Sequence, residues 1–572
     1  MTKFIHRIPK IFLALLLVLF LTQCQEDRDS KLAYKIGLAT LEGKPALDIQ
    51  MKFNAHPSGI TKVLYDNDAW GEKDLFNCIA EVRTEQPGVK IDIKKDSSWL
   101  EITHPKELKQ IDFHYKVQQD FEEKGERGES YRPIIQEDYF HVFSHNLFMI
   151  PEHLGKEADN LMNVELRWEN FPEDYVIHNS FGTSSKKQHL NNVPLSEFHQ
   201  AIFIGGDFRI HSDEIRGNNI YLASRGDWVP FKDTTVMKIL SRTIEVQRDF
   251  WKDHSQQYFT VTMRPIKQER GSSFQGTGLT NSFATSISNN SYTDVEQLVY
   301  LFNHELQHNW IGHAIENSNE EEQYWFSEGF TEYYTIKNIA KHRIHQLDES
   351  YFITQLNEII RNLYTSPVKE APNSQINYDN FWSDRDYSKL PYYRGAIFAF
   401  YLDQLIHADS EGKNNLDDLM HDLLKGAVEE HKKITHKYFI ATVNKYLNGD
   451  IGTFFKDHIE NGKLFPLEDV FMNIGFEYCP TTEVFDLGFR LAEDQRQISW
   501  VDKESAAYKA GLREGDQLGS RSIYYGNTEN PVELGLLQGK TQKNISYLPA
   551  KMAKVPQLLT SEKNIELLSF RR

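Results

Sequence analysis

Alternating strands give way to helical periodicity and then to short strands with glycine turns, a succession that predicts a multidomain α+β protein. Three observations carry the prediction. A chain of 572 residues exceeds a single core, and at roughly 100–200 residues per domain it divides into three or four. Its hydrophobic fraction of 40% and aromatic fraction of 13% are those of a chain that buries a core. Along it, an N-terminal antiparallel β domain, a domain of strands followed by helices, a helical domain and a short-stranded C-terminal domain follow one another.

The first segment reads as a sorting signal. Lys3, Arg7 and Lys10 precede the apolar run Ile11 to Leu21, whose 11 residues are too few to cross about 30 Å of hydrocarbon as a helix. A charged start and an apolar middle are the marks of a secretory signal. The run ends at Leu21-Thr22-Gln23-Cys24 and resembles a bacterial lipoprotein signal. Gln23 stands where such signals usually carry a small residue. The resemblance implies cleavage after residue 23, lipid on Cys24 and a tether over residues 24–33. The protein is then exported and held at a membrane, on the periplasmic side or surface of a Gram-negative cell; an uncleaved anchor is the alternative. Cys78 and Cys479 are the remaining cysteines, too few for a disulfide scaffold, and are expected to be two buried free thiols. A net charge of −18 argues against a nucleic-acid partner, which needs clustered Lys and Arg.

Residues 34–190 form the expected antiparallel β domain. Leu47, Ile49, Met51 and Phe53 alternate with polar residues, as do Val89, Ile91 and Ile93, and Ile111, Phe113, Tyr115 and Val117. Such alternation predicts strands with one buried and one wet face. The polar stretch "GTSSKKQHLNN", 182–192, reads as a linker or exposed loop. In residues 191–340, the strands "AIFIGG", "NIYLAS" and "YFTVTM" are followed by helical spacing, which continues through a helical domain over 341–479. Residues 480–572 return to short strands and glycine turns.

The chemistry is concentrated in "FNHELQHNWIGH", 302–313. Asp294 is placed to cap a helix running to about residue 315, and Val295, Leu298, Val299, Phe302 and Leu306 fall on one stripe. His304 and His308, one turn apart, point away from that stripe. Two imidazoles at i and i+4 reach one ion with bonds of about 2.0–2.1 Å, the distance zinc uses. Glu305 projects to the side, where it can act as a base without ligating. Glu328, twenty positions after His308, lies on a second helical stretch, completes a two-histidine, one-glutamate set for one Zn²⁺ and leaves a position open. Glu332, one turn further, is placed to accept the second N–H of a ligand histidine, or is a plain surface glutamate. His313 has no role in this scheme.

"HELQHNW" followed by "WFSEGFTEYY" resembles the gluzincin metallopeptidases and, through Trp310, the glycyl aminopeptidase family with its C-terminal PDZ domain. The resemblance runs from about residue 34 to the end. It implies a thermolysin-like zinc catalytic domain over 191–340 and a PDZ-like domain over 480–572, with His304, His308 and Glu328 as ligands and Glu305 as general base. It also implies that Tyr392 of "LPYYRG", 64 positions after Glu328, donates to the oxyanion, with Tyr393 the competing candidate. Where the family carries an amine-binding glutamate, "GTGLTNSFATS" has Thr280, whose hydroxyl cannot form an ion pair with an ammonium group. Gly278 and Leu279 can still bind substrate backbone by edge pairing. In the last domain "DLGFRL", 486–491, resembles the strand and loop with which PDZ domains capture a C-terminal peptide.

The expected function is therefore zinc-dependent hydrolysis of exported peptides or unfolded proteins by an aminopeptidase-like enzyme with altered N-terminal recognition. An endopeptidase or dipeptide-releasing enzyme is the alternative Thr280 raises. A lipoprotein that binds partners through its PDZ-like domain, with a structural or vestigial zinc site, is the alternative from another class.

Overall fold

The computed structural model describes residues 31–122, 131–154, 161–183, 186–539, 541–568 and 570. The signal segment and Cys24 lie outside them. Among the described residues no helix is long and apolar enough to cross a membrane. The chain forms two compact units, one of residues up to 237 with 254–294, the other of residues 238–253 with 295–572.

The first unit opens with a six-stranded sheet of β1 (Lys31–Leu41), β2 (Lys44–Asn54), β3 (Ile79–Arg83), β4 (Gln110–Gln118), β5 (Leu161–Glu169) and β6 (Lys187–Pro194), in the order β6-β5-β1-β2-β4-β3. The alternation in β2 and β4 has its expected consequence: Leu47, Ile49, Met51, Phe53, Ile111, Phe113, Tyr115 and Val117 are all fully buried. Two expectations need correcting. The supposed linker contains most of β6, an edge strand whose Leu190 pairs opposite Val164 of β5 and is buried. Its polar residues are those of a strand with one wet face. The sheet is also not wholly antiparallel, because β1 runs parallel to β5. Val89, Ile91 and Ile93 flank or lie in an edge strand of a smaller sheet, and Ile93 is exposed. Residues Ile202–Gly206 join a further sheet with Tyr139–Phe143 and Val176–Asn179. Cys78 is a buried free thiol, but Cys479, in the second unit, is exposed.

A mixed five-stranded sheet completes this unit: β7 (Arg209–Ile215), β8 (Asn218–Ser224), β9 (Tyr258–Ile266), β10 (Phe274–Leu279) and β11 (Ser282–Ser288), in the order β7-β8-β9-β11-β10. β8, β9 and β11 are mutually parallel, whereas β10 returns antiparallel as an edge strand. Every residue of β11 is buried, as expected of a strand covered on both faces.

The second unit is helical, then β. It takes the later residues of α1 (Asp233–Trp251), followed by α2 (Val295–Gln307), α3 (Glu320–Ser327), α4 (Gly329–Lys341), α5 (Tyr378–Ser383), α6 (Arg385–Asp409) and α7 (Leu416–Glu430). Aromatic residues fill its core, with Trp325 ringed by Phe326, Phe330, Phe398, Phe439 and Phe455. Towards the C-terminus, β12 (Phe489–Leu491) pairs with β13 (Ile498–Val501), and β14 (Leu518–Ser522), β15 (Val532–Gln538) and β16 (Thr541–Tyr547) form a meander. Between β13 and β14 lies a one-turn helix, Ala506–Lys509, capped by Ser505.

Candidate metal centre

The site begins with α2. Leu298, Val299, Phe302 and Leu306 are buried in the core, and the helix is also packed along a polar row. Asn303 Nδ2 donates to Thr243 Oγ1 at 3.2 Å, Gln247 Nε2 to Asn303 O at 2.9 Å, and Trp251 Nε1 to Gln307 Oε1 at 2.9 Å. From α4, Asn338 Nδ2 donates to Asn303 Oδ1 at 2.7 Å. A helix with buried polar groups satisfied on two sides has little freedom to rotate about its axis.

The helix is shorter than expected, ending at Gln307, so His308 stands in the following turn. Trp310 explains the early stop. Its ring stacks on Trp251 at 5.8 Å and its Nε1 donates to Asp253 Oδ2 at 3.0 Å, which draws the chain off the helix axis before Gly312 at φ 102°. His313 is exposed.

Glu328 is delivered by the junction of α3 and α4. There two glycines meet: a Cβ on Gly329 would lie 2.4 Å from Gly395 Cα, and one on Gly395 would lie 1.9 Å from Trp325 O. No side chain fits between these backbones, so α6 crosses the α3–α4 junction at contact distance. That crossing sets Tyr392 of α6 against Glu328 and stacks its ring on His304 with centroids 5.8 Å apart.

The donors converge. Glu328 Oε2 lies 3.5 Å from His304 Nε2 and 3.7 Å from His308 Nε2. The opposite ring nitrogens are taken up elsewhere: His304 Nδ1 lies 3.3 Å from Glu332 Oε2, and His308 Nδ1 3.1 Å from the carbonyl of Ile311. Both Nε2 atoms are thereby left to face the carboxylate. The cluster is largely withdrawn from water, with side-chain exposures of 9% for His304, 18% for Glu328 and 25% for His308.

Electrostatics follow from that burial. Desolvation alone would raise the Glu328 carboxyl, but His308 and His304, with the Tyr392 hydroxyl, outweigh it and hold the group at about 2. Burial opposes charge on His304, yet Glu328 and Glu332 lift its imidazole to about 10. The Tyr392 phenol is held well above its ordinary value by burial and by Glu328, which keeps it a neutral donor. Burial and Glu332 push Tyr393 up to about 12. Glu305 is half-buried on α2 and its charge acts on both His304 and Tyr392, although it is not one of the three converging donors.

The donor set fits zinc. Bonds of about 2.0–2.1 Å at tetrahedral angles place ligand atoms about 3.4 Å apart, close to the 3.5 and 3.7 Å measured here. Among the described residues His304, His308 and Glu328 are the group able to hold an ion, and Glu328 Oε2 is a buried oxygen without a hydrogen-bond donor.

Gly278, Leu279 and Thr280 belong to the other compact unit. Gly278 and Leu279 end the edge strand β10, and Thr280 follows in the turn. The Thr280 hydroxyl donates to Glu197 O and its N–H to Gln200 O, each at 2.8 Å. Its proton is committed to backbone. Sequence reasoning missed Tyr300, which stacks on His304 at 6.1 Å and hydrogen-bonds Glu332. Its place four residues before His304 was the available signal. It missed the Gly329–Gly395 contact too, whose trace in the sequence is one glycine in each of two motifs.

Parts of the chain are similar to known proteins. Residues 276–458 match the family model described as the Peptidase family M1 domain. That region is accordingly a hydrolase domain of the peptidase class. Two curated relatives, both called leucine aminopeptidase 2, are 29% identical over 152 residues in Chaetomium globosum and 26% identical over 239 residues in Ajellomyces capsulatus. These alignments take in 25% and 40% of this chain but only 23% and 35% of the relatives' lengths. An aminopeptidase N family protein from Idiomarina loihiensis is similar in fold, with a TM-score of 0.69 at 17% identity over 94% of this chain and 100% of that one. The fold is thus similar to that of this protein, with N-terminal sheets and a helical region beyond them.

Proposed function

We propose that this chain is a zinc metallopeptidase of aminopeptidase-like character that hydrolyses exported peptides or unfolded proteins. The observation that carries the reading is the convergence of His304 Nε2, His308 Nε2 and Glu328 Oε2 inside the region that matches a peptidase domain. In this reading these three residues hold the ion, while Glu332 and the Ile311 carbonyl keep the imidazoles oriented. When bound, zinc supplies Lewis-acid polarisation of the scissile carbonyl and of a water. Glu305 takes the water proton on its carboxylate and passes it to the leaving amine. Tyr392, neutral at pH 7, donates its phenolic proton in a hydrogen bond to the developing oxyanion. Changing Glu305 to Gln tests the scheme: peptide cleavage is expected to vanish with one zinc per chain retained, and wild-type cleavage by the variant would refute it.

A second reading rests on Thr280. Its hydroxyl donates to the Glu197 carbonyl and it carries no negative charge, so the usual amine anchor is missing. An endopeptidase or dipeptide-releasing enzyme cleaves N-acetylated peptides, whereas an obligate aminopeptidase leaves them intact. The likeness to glycyl aminopeptidases, centred on Trp310, belongs to our reading as well. So does export with lipidation at Cys24, for which release of a Cys24→Ser variant from the membrane fraction is the test. For residues 480–572 we read a PDZ-like module with a packing role. The three-residue strand β12 is short for strand addition, and the Gly488 N–H already donates to Asp486 Oδ1 at 3.1 Å, which occupies a group that would bind a carboxylate.

A further inference from the structure

Beside the metal ligands lies a cavity of 580 Å³ that the scheme above does not use. Its walls include the ligand Glu328 and Tyr392, the carboxylates Glu320 and Glu321, and the aromatic rings of Tyr378 and Trp382. A space that shares two walls with the proposed reacting centre is placed to take a substrate group next to the scissile bond. Its chemistry is distinctive. Glu320, exposed to solvent, is fixed by neutral donors, Ser327 Oγ at 2.7 Å and Asn317 Nδ2 at 3.0 Å, and no ion pair to it or to half-buried Glu321 is seen among the described residues. The Lys389 ammonium, 4.1 Å over the Tyr392 ring, is not among the groups lining the cavity.

The aromatic walls add a second, independent indication. Tyr378 and Trp382 are 60% and 70% exposed, and their centroids are 6.2 Å apart on one short helix. They are backed by Phe381, which stacks on Tyr324 at 4.0 Å and fixes the helix against α3. Rings that face a cavity together with uncompensated carboxylates favour an organic cation, which gains both an ion pair and contact with the ring faces. A neutral aliphatic group would leave the carboxylates without a partner.

We propose that this cavity is a substrate subsite for a cationic group, an ammonium or guanidinium, with Glu320 and Glu321 as its anions and Tyr378 and Trp382 as its aromatic walls. The proposal rests on the metallopeptidase reading for its consequence in catalysis, but its binding chemistry stands apart from it. The cation has two sources, the free α-amine of a peptide or a Lys or Arg side chain flanking the scissile bond. If the α-amine is the occupant, the subsite supplies the anion that Thr280 does not.

Two measurements on the full-length chain test it. Titration with two cations, norleucinamide (α-ammonium only) and N-acetylargininamide (guanidinium only), and with the uncharged N-acetylnorleucinamide, followed by Trp fluorescence and calorimetry, is expected to show about tenfold or more tighter binding of one cation than of the uncharged amide. A Glu320→Gln, Glu321→Gln double variant should remove that difference. Equal binding of all three amides by the native chain overturns the proposal, whether or not the protein is a peptidase. In the zinc-loaded chain, the ratio of kcat/KM for peptides that carry the preferred cation over matched peptides that lack it should fall about tenfold or more in the double variant. Peptides with and without an N-acetyl group, each with Arg or norleucine beside the scissile bond, assign the source. An advantage lost on acetylation whatever the side chain marks the α-amine, and an advantage of Arg over norleucine that persists on acetylation marks the side chain. Cleavage without any preference for cations refutes the subsite alone. Absence of all zinc-dependent cleavage, with cation binding intact, refutes the peptidase reading alone. Circular dichroism of the variant confirms folding, and a Trp382→Leu variant that binds the preferred cation as tightly as the native chain counts against the aromatic walls.

Discussion

At the scale of single residues, the site is a set of donors whose spare valences have been assigned. His304 Nδ1 faces Glu332 and His308 Nδ1 faces a carbonyl, so both Nε2 atoms remain for an ion. Replacing Glu332 with Gln removes the charge behind His304 and is expected to weaken zinc binding by about 10–100-fold, with the fold intact. Competition with a chromophoric chelator measures this, and unchanged affinity would deny Glu332 its orienting role. Tyr392→Phe deletes one hydrogen-bond donor without changing the ring that stacks on His304. A loss of about 10²–10³ in kcat with little change in bound zinc is expected. If Tyr393→Phe has that effect and Tyr392→Phe does not, the two roles are exchanged. The histidine pair was legible in the sequence from its i, i+4 spacing and Glu328 from its place on a second helical stretch, and the structure brings the three donors together. Thr280 was legible as a departure, but its hydrogen bond to Glu197, 83 positions away, was not.

At the scale of elements, close helix packing decides where Glu328 and Tyr392 stand. Gly395 allows α6 to touch the α3–α4 junction, and an added methyl would meet Trp325 O at 1.9 Å. Gly395→Ala is expected to destabilise by about 1–3 kcal/mol or more and to lower kcat by moving Tyr392 from Glu328. Urea unfolding and steady-state kinetics report the two effects, and a variant as stable and active as the native chain would show that the crossing can relax. A buried charge network ties the same helices together. Lys337 of α4 donates to Asp403 of α6 at 2.9 Å and to Asp417 of α7 at 2.7 Å, with its side chain 2% exposed. Burial would raise Asp417, but Lys337 and Lys341 hold it down at about 2. A depressed carboxyl contributes stability that is complete above its ordinary value near 4 and is lost as pH falls from there through about 2. Lys337 is raised by Asp403 and Asp417 against the effect of burial, so its contribution persists through neutral pH and is lost only in strong alkali. Lys337→Met should therefore cost about 3–5 kcal/mol at pH 7 and less at pH 2–3. A cost independent of pH would mean that packing, not charge, holds the helices.

At the scale of the whole molecule, the chain has two compact units, and the three converging metal donors all belong to the second. Calorimetry should resolve two unfolding transitions, and chelation should lower the one to which the second unit contributes, because zinc binds the native state and not the unfolded one. A single transition, or an equal shift of both, would show that the units unfold together. The strands of the first unit could be read from period two, since alternation directly reports a sheet with one wet face. β6 could not, because the polar residues around Leu190 look like a loop until β5 supplies a partner. The last segment shows the same limit: Ala550–Ala553 and Gln557–Leu558 are strands only because Thr482–Phe485 and Tyr478–Cys479 pair with them.

What the sequence determined by itself was the local geometry: amphipathic strands and helices, the phase of the two histidines, and a glutamate at the spacing a second helix can deliver. These depend on residues within a few turns of each other. The tertiary structure alone decided the rest. It ended α2 at Gln307 through the Trp310–Trp251 contact, set Tyr392 on His304 through the Gly329–Gly395 crossing, and gathered Glu320, Glu321, Tyr378 and Trp382 around one cavity. Each of these joins residues tens of positions apart, and their meeting is set by how helices pack, for which no short-range periodicity in the chain carries a signal.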